Sequence, residues 1–279
     1  MSSIISFKRD NYDGEFTCLN EMQMGVAHDH QPHLHLQTPK WLCDPQRIVT
    51  SSRERNILGG NGSLVYAFND GAGNPSRFIK NIREELGEEC EIHVFAPHWS
   101  AERIKHFFDS RADATLHSWG IEGKSDSHLG RKNYLTFQET IAHLGHEGRT
   151  IDVLSVDCND GCEWSTYMDI LESDSNIVQI LIELHGAPYQ VNDFFLEMRR
   201  NGYVAFHKES NTVENGRSAA YSFIRLAPAF FQESASLIGT GKSQVVKKKV
   251  LEMPLQTNLP QVVHESQVYQ RRPMHLTQD

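Results

Sequence analysis

An acidic residue, Asp157, stands where an apolar segment gives way to a turn. The preceding residues, 151–156, form a nearly continuous apolar run, which is typical of a strand buried on both faces of a parallel sheet. Turn residues follow at 159–161, and Glu163 begins a predicted helix over 163–171. Open α/β sheets bind their ligands at the carboxyl ends of their strands, so Asp157 and Glu163 are candidate site residues.

Other polar residues near strand ends have both a chemical and a structural interpretation. His185 and His207 follow predicted strands, where an imidazole can act as a general base. A strand-end histidine can equally be held in hydrogen bonds within the fold, and this interpretation is favoured for His207. Asp160 can face a ligand or cap the helix that follows it. Glu163 can be present only because an acidic residue stabilises a helix N-terminus.

The segment NDGAG at residues 69–73 is a glycine-bearing turn between a predicted strand at 63–68 and a predicted helix that begins at Ser76. Its glycines allow the backbone to approach a ligand, and the N-terminus of the following helix faces that ligand. A strand, a glycine turn and a helix in this order are typical of the first unit of a nucleotide-binding α/β fold.

Strands and helices alternate from residue 61 to residue 228. The predicted strands are 63–68, 91–95, 114–118, 151–157, 177–184, 203–207 and 219–226, and the predicted helices are 76–86, 101–108, 134–144, 163–171 and 191–200. This alternation predicts a Rossmann-like α/β fold with a seven-stranded, mostly parallel sheet, helices on both faces and a closing antiparallel hairpin. We expect residues 1–60 to be an irregular N-terminal segment and residues 229–279 to be a flexible polar tail.

Composition excludes some classes of protein. The 279 residues carry a formal charge of −9, which argues against a general nucleic-acid binder because such a protein needs a basic face. The sequence has no apolar run of membrane-spanning length and no signal-peptide core. Its five cysteines are irregularly spaced, so we predict no disulfide framework and a reducing compartment. Because no anchor or signal is seen, we expect a cytoplasmic location. The oligomeric state is open.

Two groups of residues could bind a metal, and for neither do we predict a metal site. The first is the histidine tract within residues 28–35, which can bind a transition metal but is better interpreted as a polar loop. The second is Cys158 and Cys162, which lack the second pair of ligands that a zinc site needs.

The segment GRTIDVLSVDCNDGCEW resembles the central motif of the methyltransferase-like protein 24 family and, more distantly, FkbM-type methyltransferases. Other segments resemble that family in the same order along residues 40–226. They are WLCDP, LVYAFNDGAGNPSRF, HVFAP, LHSWGI, ILIELHGAP, YVAFHKESN and YSFIRL.

The resemblance implies a Rossmann-like domain that binds S-adenosylmethionine and methylates a hydroxyl group of a sugar or small metabolite. The partner would then be a small-molecule or glycan acceptor. The cofactor-binding residues that it implies are Phe68, Asn69, Asp70, Gly71, Gly73, Ala96, Trp119 and Asp157. Within this framework, our hypothesis is that Asp157, Glu163 and His185 are the catalytic residues.

The chain departs from the family at Ala96, where an acidic residue usually holds the ribose hydroxyls of the cofactor. Losing that charge-assisted hydrogen-bond pair costs about 1.5–3 kcal/mol, or about ten- to hundredfold in affinity. The turn after Asp157 has one extra residue, and the glycine loop is longer than usual. A catalytically weakened or inactive binding protein therefore stays open as an alternative. An NAD-dependent oxidoreductase is a second alternative, but the closing hairpin and the lack of a full GxGxxG motif argue against it.

Overall fold

The structure, a computed structural model, describes residues 13–25, 39–69, 75–110, 113–124, 133–158, 162–186, 191–211 and 218–231. The chain divides into two units, residues 1–249 and 250–279, and all described residues belong to the first. The described strands are β1 (Glu21–Met24), β2 (Lys40–Cys43), β3 (Leu64–Asn69), β4 (Glu91–Phe95), β5 (Thr115–His117), β6 (Gly120–Ile121), β7 (Tyr134–Leu135), β8 (Thr150–Asp157), β9 (Asn176–His185), β10 (Tyr203–Ser210) and β11 (Ser218–Arg225). The described helices are α1 (Pro45–Ile57), α2 (Ser76–Leu86), α3 (Ala101–Asp109), α4 (Phe137–Leu144), α5 (Glu163–Leu171) and α6 (Val191–Arg200).

Seven of these strands form one sheet in the order β10-β11-β9-β8-β3-β4-β5. The neighbours from β5 to β9 pair in parallel, whereas β11 is antiparallel to both β9 and β10. The predicted fold class is therefore confirmed, including the closing hairpin. Successive strands are added on one side of β3 up to β5 and on the other side from β8 onward. The carboxyl ends of β3 and β8 therefore form the switch point at which such sheets bind ligands.

The sheet is covered on both faces, which explains why its central strands are apolar throughout. One apolar core lies between the sheet and α1, α2 and α3, and it includes Ile48, Ile79, Ile82, Phe107, Val65 and Val153. The other core lies between the sheet and α4, α5 and α6, and it includes Phe137, Ile141, Ile170, Phe194, Tyr66 and Phe68. Side chains that alternate along one strand contribute to opposite cores.

The predicted helix over residues 134–144 begins too early. Tyr134 and Leu135 form β7, which pairs in parallel with β6, and the helix begins at Phe137. Thr136 caps this helix: its side chain accepts a hydrogen bond from the backbone of Glu139, and the Glu139 carboxylate accepts one from the backbone N–H of Thr136 at 2.8 Å. This reciprocal capping box fixes the helix start.

Residues 40–57, to which the sequence analysis gave no regular structure, form β2 and α1. The arrangement is anchored by Asp152 of β8, which is 1 % exposed. Arg55 donates to both carboxylate oxygens of Asp152 at 2.7 and 2.8 Å, and the backbone N–H of Leu64 donates to one of them at 3.0 Å. The domain boundary near residue 60 stays a prediction. The histidine tract and residues 232–279 lie outside the described residues.

The prediction of no disulfide framework is wrong. Cys18 is bonded to Cys43, and Cys158 is bonded to Cys162, so Cys90 is the one free cysteine. The first bond joins segments 25 residues apart that meet because β1 pairs with β2. Spacing along the sequence does not show such a pairing. Disulfides persist in oxidising compartments, so they weigh against a reducing compartment, and the cytoplasmic location stays a prediction.

Among the described helices, none has both the length and the apolarity needed to cross a membrane.

Candidate functional site

A pocket lies at the carboxyl ends of β3 and β8, on the face of the sheet covered by α2 and by the β1–β2 hairpin. Asn69 and Asp157, the last residues of β3 and β8, are directly opposite each other in the sheet register. β3 leads into the glycine turn, and β8 ends in the acidic residue. The carboxyl ends of these two strands therefore lie at the same edge of the sheet. The pocket is lined by Met24, Gly25, Lys40, Ala67, Phe68, Asn69, Pro75, Phe78, Ser155 and Asp157.

A buried lysine, Lys40, points into this pocket from β2. Its Nζ lies 3.3 Å from Oδ2 of Asp157 and 3.9 Å from Oε2 of Glu183, and the three side chains are 8 %, 9 % and 4 % exposed. Glu183 is also held by Ser218, whose hydroxyl donates to Oε1 at 2.7 Å, and by Asn211, whose amide donates at 3.1 Å. One cation thus faces two carboxylates, so these three side chains together carry a formal net negative charge.

Sequence reasoning missed Lys40 and Glu183. Two signals were available: a lysine directly before the apolar residues of WLCDP, and a glutamate near the end of the apolar run of β9. Charged residues in such positions are rarely buried unless they are paired.

Asn69 carries an unsatisfied acceptor at the pocket. Its side chain is 3 % exposed, and its Oδ1 has no hydrogen-bond partner among the described residues. A buried acceptor without a donor costs about 1–3 kcal/mol. The atom is therefore suited to accept a hydrogen bond from a bound molecule.

Glu163 and His185 form a second polar pair at the same end of the sheet. Oε1 of the fully buried Glu163 accepts a hydrogen bond from the backbone N–H of His185 at 2.6 Å and lies 3.2 Å from its Nδ1. Trp164 braces the pair, since its indole N–H donates to the carbonyl oxygen of His185 at 2.8 Å. These contacts hold the first turn of α5 against the end of β9.

Burial lowers the pKa of His185, but the hydrogen bond and negative charge of Glu163 outweigh it and raise the pKa above its ordinary value. The charges of Glu183 and Asp157 act in the same direction. His185 therefore lies within electrostatic reach of the Lys40–Asp157 pair. The structure brings Asp157, Glu163 and His185 to one end of the sheet, with His185 directly contacting Glu163.

The other predicted cofactor residues differ in their positions. Asp70, Gly71 and Gly73, like Asp160, lie outside the described residues. Phe68 lines the pocket, and its ring stacks on Phe95 at 4.3 Å in the core. Trp119 is partly buried and packs against His117 at 4.4 Å. Ala96 directly follows β4 and is 4 % exposed, and its backbone N–H donates to the carbonyl oxygen of His117 at 2.9 Å. It therefore brings no polar side chain to the ribose position.

His207 has structural contacts. Its Nδ1 lies 2.8 Å from a carboxylate oxygen of Glu21, and its ring stacks on Trp41 at 4.2 Å. The ring thereby links β10 to the β1–β2 hairpin.

Known structures with a related fold are distant in sequence. The 1,6-didemethyltoxoflavin-N1-methyltransferase of Burkholderia thailandensis is 8 % identical over 66 % of this chain and 80 % of that one, with a TM-score of 0.37. Fibrillarin, a pre-rRNA processing protein of Methanococcus jannaschii, is 9 % identical over 74 % of this chain and 88 % of that one, with a TM-score of 0.37. The magnesium protoporphyrin IX methyltransferase of Synechocystis is 13 % identical over 65 % and 79 %, with a TM-score of 0.31.

At these TM-scores the solved structures carry no argument about substrate. No curated protein gives a significant match. A family model described as a methyltransferase domain matches residues 1–225. The match includes the switch point, the Lys40–Asp157 pair and the closing hairpin. Because it spans most of the 279 residues, the chain belongs to this methyltransferase-domain family.

Proposed function

We propose that the protein is an S-adenosylmethionine-dependent methyltransferase whose acceptor is a hydroxyl group of a sugar or of another small hydroxylated metabolite. The observation that carries this proposal is the unpaired acceptor of Asn69 beside the buried Lys40–Asp157 pair, at the switch point of a methyltransferase-domain fold. S-adenosylmethionine supplies the methyl group on a sulfonium centre, and its methionine end carries an ammonium and a carboxylate.

The residues of the pocket fit that methionine end. Oδ1 of Asn69 has no donor among the described residues, which suits an ammonium group. Lys40 would face the carboxylate while Asp157, already within 3.3 Å of Lys40, adds negative charge beside the cationic parts of the cofactor. The ribose end of the cofactor has fewer hydrogen-bonding partners among the described residues, because Ala96 has no hydrogen-bonding side chain.

His185 is our candidate for the group that takes the proton of the acceptor hydroxyl. It is 18 % exposed, and its Nδ1 is 3.2 Å from Glu163. Glu163 can hold the ring in one orientation and stabilise the imidazolium that forms, leaving Nε2 for the acceptor. Asp157 is less suited to this step because its carboxylate is engaged by Lys40 at 3.3 Å. Its role is to hold Lys40 in position and to balance charge in the pocket.

An acidic protein with this site suits a small acceptor better than a nucleic acid. The charge of −9 and the net negative charge of the Lys40–Asp157–Glu183 group would repel a phosphate backbone. The topology also offers no support for the oxidoreductase alternative, because β11 interrupts the parallel order.

The proposal is tested by transfer of a labelled methyl group from S-adenosylmethionine to a panel of sugars and hydroxylated metabolites, using the full-length protein. His185→Gln should lower the rate by about 10²–10⁴-fold, as expected for loss of a general base. His207→Gln is the matched control, because it removes another strand-end histidine that is engaged with Glu21. A methyl-transfer rate in His185→Gln equal to that of wild type would contradict the assignment of His185 as the base.

Two further outcomes separate the alternatives. Binding of S-adenosylhomocysteine without transfer to any acceptor would favour the inactive binding protein. Saturable binding of NAD in place of S-adenosylhomocysteine would contradict the proposal.

A further inference from the structure

Three side chains converge on one point away from the methyltransferase pocket: Glu91, His93 and His146. We call them the His–Glu cluster. Oε1 of Glu91 lies 2.8 Å from Nε2 of His93 and 3.3 Å from Nε2 of His146. One ligand atom from each residue lies within 4.8 Å of the other two. Two elements far apart in sequence, β4 and the turn after α4, supply these atoms.

The far nitrogen of each imidazole is held by a partner of its own. Nδ1 of His146 lies 2.7 Å from the hydroxyl of Tyr66, and Nδ1 of His93 lies 2.8 Å from Nε2 of His117. Histidines that bind metals typically have their second nitrogen fixed in this way, because the contact sets the ring orientation. Glu91 also has its second oxygen engaged, 2.7 Å from Arg149.

The spacing is close to that of a tetrahedral metal centre. Zinc bonds of about 2.0–2.1 Å to nitrogen and oxygen place neighbouring ligand atoms about 3.3 Å apart. The pair formed by Glu91 and His146 already has this separation, at 3.3 Å, and the pair formed by Glu91 and His93 must widen from 2.8 Å. The two histidines are buried, whereas the Glu91 side chain is 41 % exposed, so solvent can reach a fourth ligand position.

We propose that the His–Glu cluster binds one divalent ion of the zinc class, with a solvent molecule as its fourth ligand. Two imidazoles and a carboxylate are the ligand set that such ions accept. Arg149 keeps its contact with Oε2 of Glu91. Its positive charge repels the ion, so the affinity for the ion is lower than it would be without Arg149.

Ion binding requires a shift of hydrogen atoms but no net loss of protons. A carboxylate only accepts hydrogen bonds, so in the metal-free form His93 donates to Glu91 from Nε2 and its Nδ1 accepts from Nε2 of His117. His146, whose Nε2 lies 3.3 Å from Glu91, carries its hydrogen on Nε2 while its Nδ1 accepts from the hydroxyl of Tyr66. In the metal-bound form the Nε2 atoms of His93 and His146 ligate, and both rings carry their hydrogen on Nδ1. His93 then donates to Nε2 of His117, whose own hydrogen must move to Nδ1, and His146 donates to the oxygen of Tyr66. The proposed ion therefore leaves a tautomer signature on all three rings.

The ion would be structural rather than catalytic. Glu91 is the first residue of β4 and Phe95 the last, so the cluster and the carboxyl end of that strand are about 13 Å apart at about 3.3 Å per residue. Binding would clamp β4 to the turn that precedes β8. This inference does not depend on the proposed methyl transfer.

The test is a titration of chelator-treated, full-length protein with Co²⁺, followed by displacement with Zn²⁺. Wild type should bind one Co²⁺ with the visible absorption of a tetrahedral site. His146→Gln should weaken binding at least tenfold, and Tyr66→Phe should weaken it about ten- to hundredfold, because the hydroxyl that holds Nδ1 of His146 is lost. His143→Gln is the matched control, because this residue lies near His117 but is not a ligand.

The histidine tract at 28–35 could bind metal on its own, so a variant with its four histidines changed to glutamine separates the two sites. The proposal predicts that this variant keeps the tetrahedral ion. Loss of the tetrahedral ion in the tract variant, or full binding in His146→Gln, would overturn it. Nitrogen-15 spectra of wild-type protein give a test that needs no variant: Zn²⁺ should move the hydrogen of three rings, those of His93, His146 and His117, to Nδ1, and unchanged spectra would contradict the proposal.

Discussion

Replacing Lys40 by methionine tests whether the charged group at the strand ends is coupled as the structure implies. The change removes the cation that lies 3.3 Å from Asp157 and 3.9 Å from Glu183. Two carboxylates, 9 % and 4 % exposed, would then lose this counter-charge. Removing one partner of a buried pair typically costs about 3–5 kcal/mol. At about 2–4 °C per kcal/mol for a chain of this size, the melting temperature should fall by about 6–20 °C.

The double variant Lys40→Met/Asp157→Asn isolates the coupling. Asp157→Asn removes one of the two stranded charges, while Glu183 keeps its hydrogen bonds from Ser218 and Asn211. The double variant should therefore lose less stability than the sum of the two single variants, by about 1–3 kcal/mol. Urea unfolding of the four proteins gives this term directly. Strictly additive losses, or a loss below about 1 kcal/mol in Lys40→Met, would refute the coupled pair.

Four other predictions concern His185 and the cysteines. The methyl-transfer rate should rise with pH above about 6.5, because the raised pKa of His185 keeps the proposed base protonated at lower pH; a rate that falls over this range would argue against it. The same shift contributes stability that is complete below about 6.5 and lost as pH rises through the folded-state pKa, which His185→Gln should abolish. Alkylation of denatured, unreduced protein should modify one thiol per chain, Cys90, and five after reduction; more than one before reduction would contradict the disulfides. Cys18→Ser should cost about 3.5 kcal/mol by the loop-entropy relation for 25 residues.

The sheet could be predicted from the sequence because its central strands are apolar along their whole length. The runs at β8 and β9 are buried on both faces, and such runs are visible without any knowledge of tertiary contacts. The acidic end of β8 was equally visible, since Asp157 follows the apolar run directly.

The parts that were missed depend on contacts between distant segments. Helix α1 lacks a clear apolar stripe and is held by the ion pair of Arg55 with Asp152, which no local pattern predicts. Lys40 reaches the pocket only because β2 packs against the sheet. The start of α4 is different, because the Thr136–Glu139 capping box is a sequence signal that could have moved the predicted start from residue 134 to residue 137.

Titration calorimetry of the full-length protein with S-adenosylhomocysteine measures whether the methyl donor binds at the ends of β3 and β8. We expect one saturable site per chain, weakened at least tenfold in Asn69→Leu, which removes the Oδ1 acceptor at the pocket. His207→Gln, which changes a residue in contact with Glu21 and Trp41 and not with Asn69, should bind as wild type does. Absence of saturable heat from wild-type protein, or equal affinity in wild type and Asn69→Leu, would contradict the placement of the methyl donor at the ends of β3 and β8.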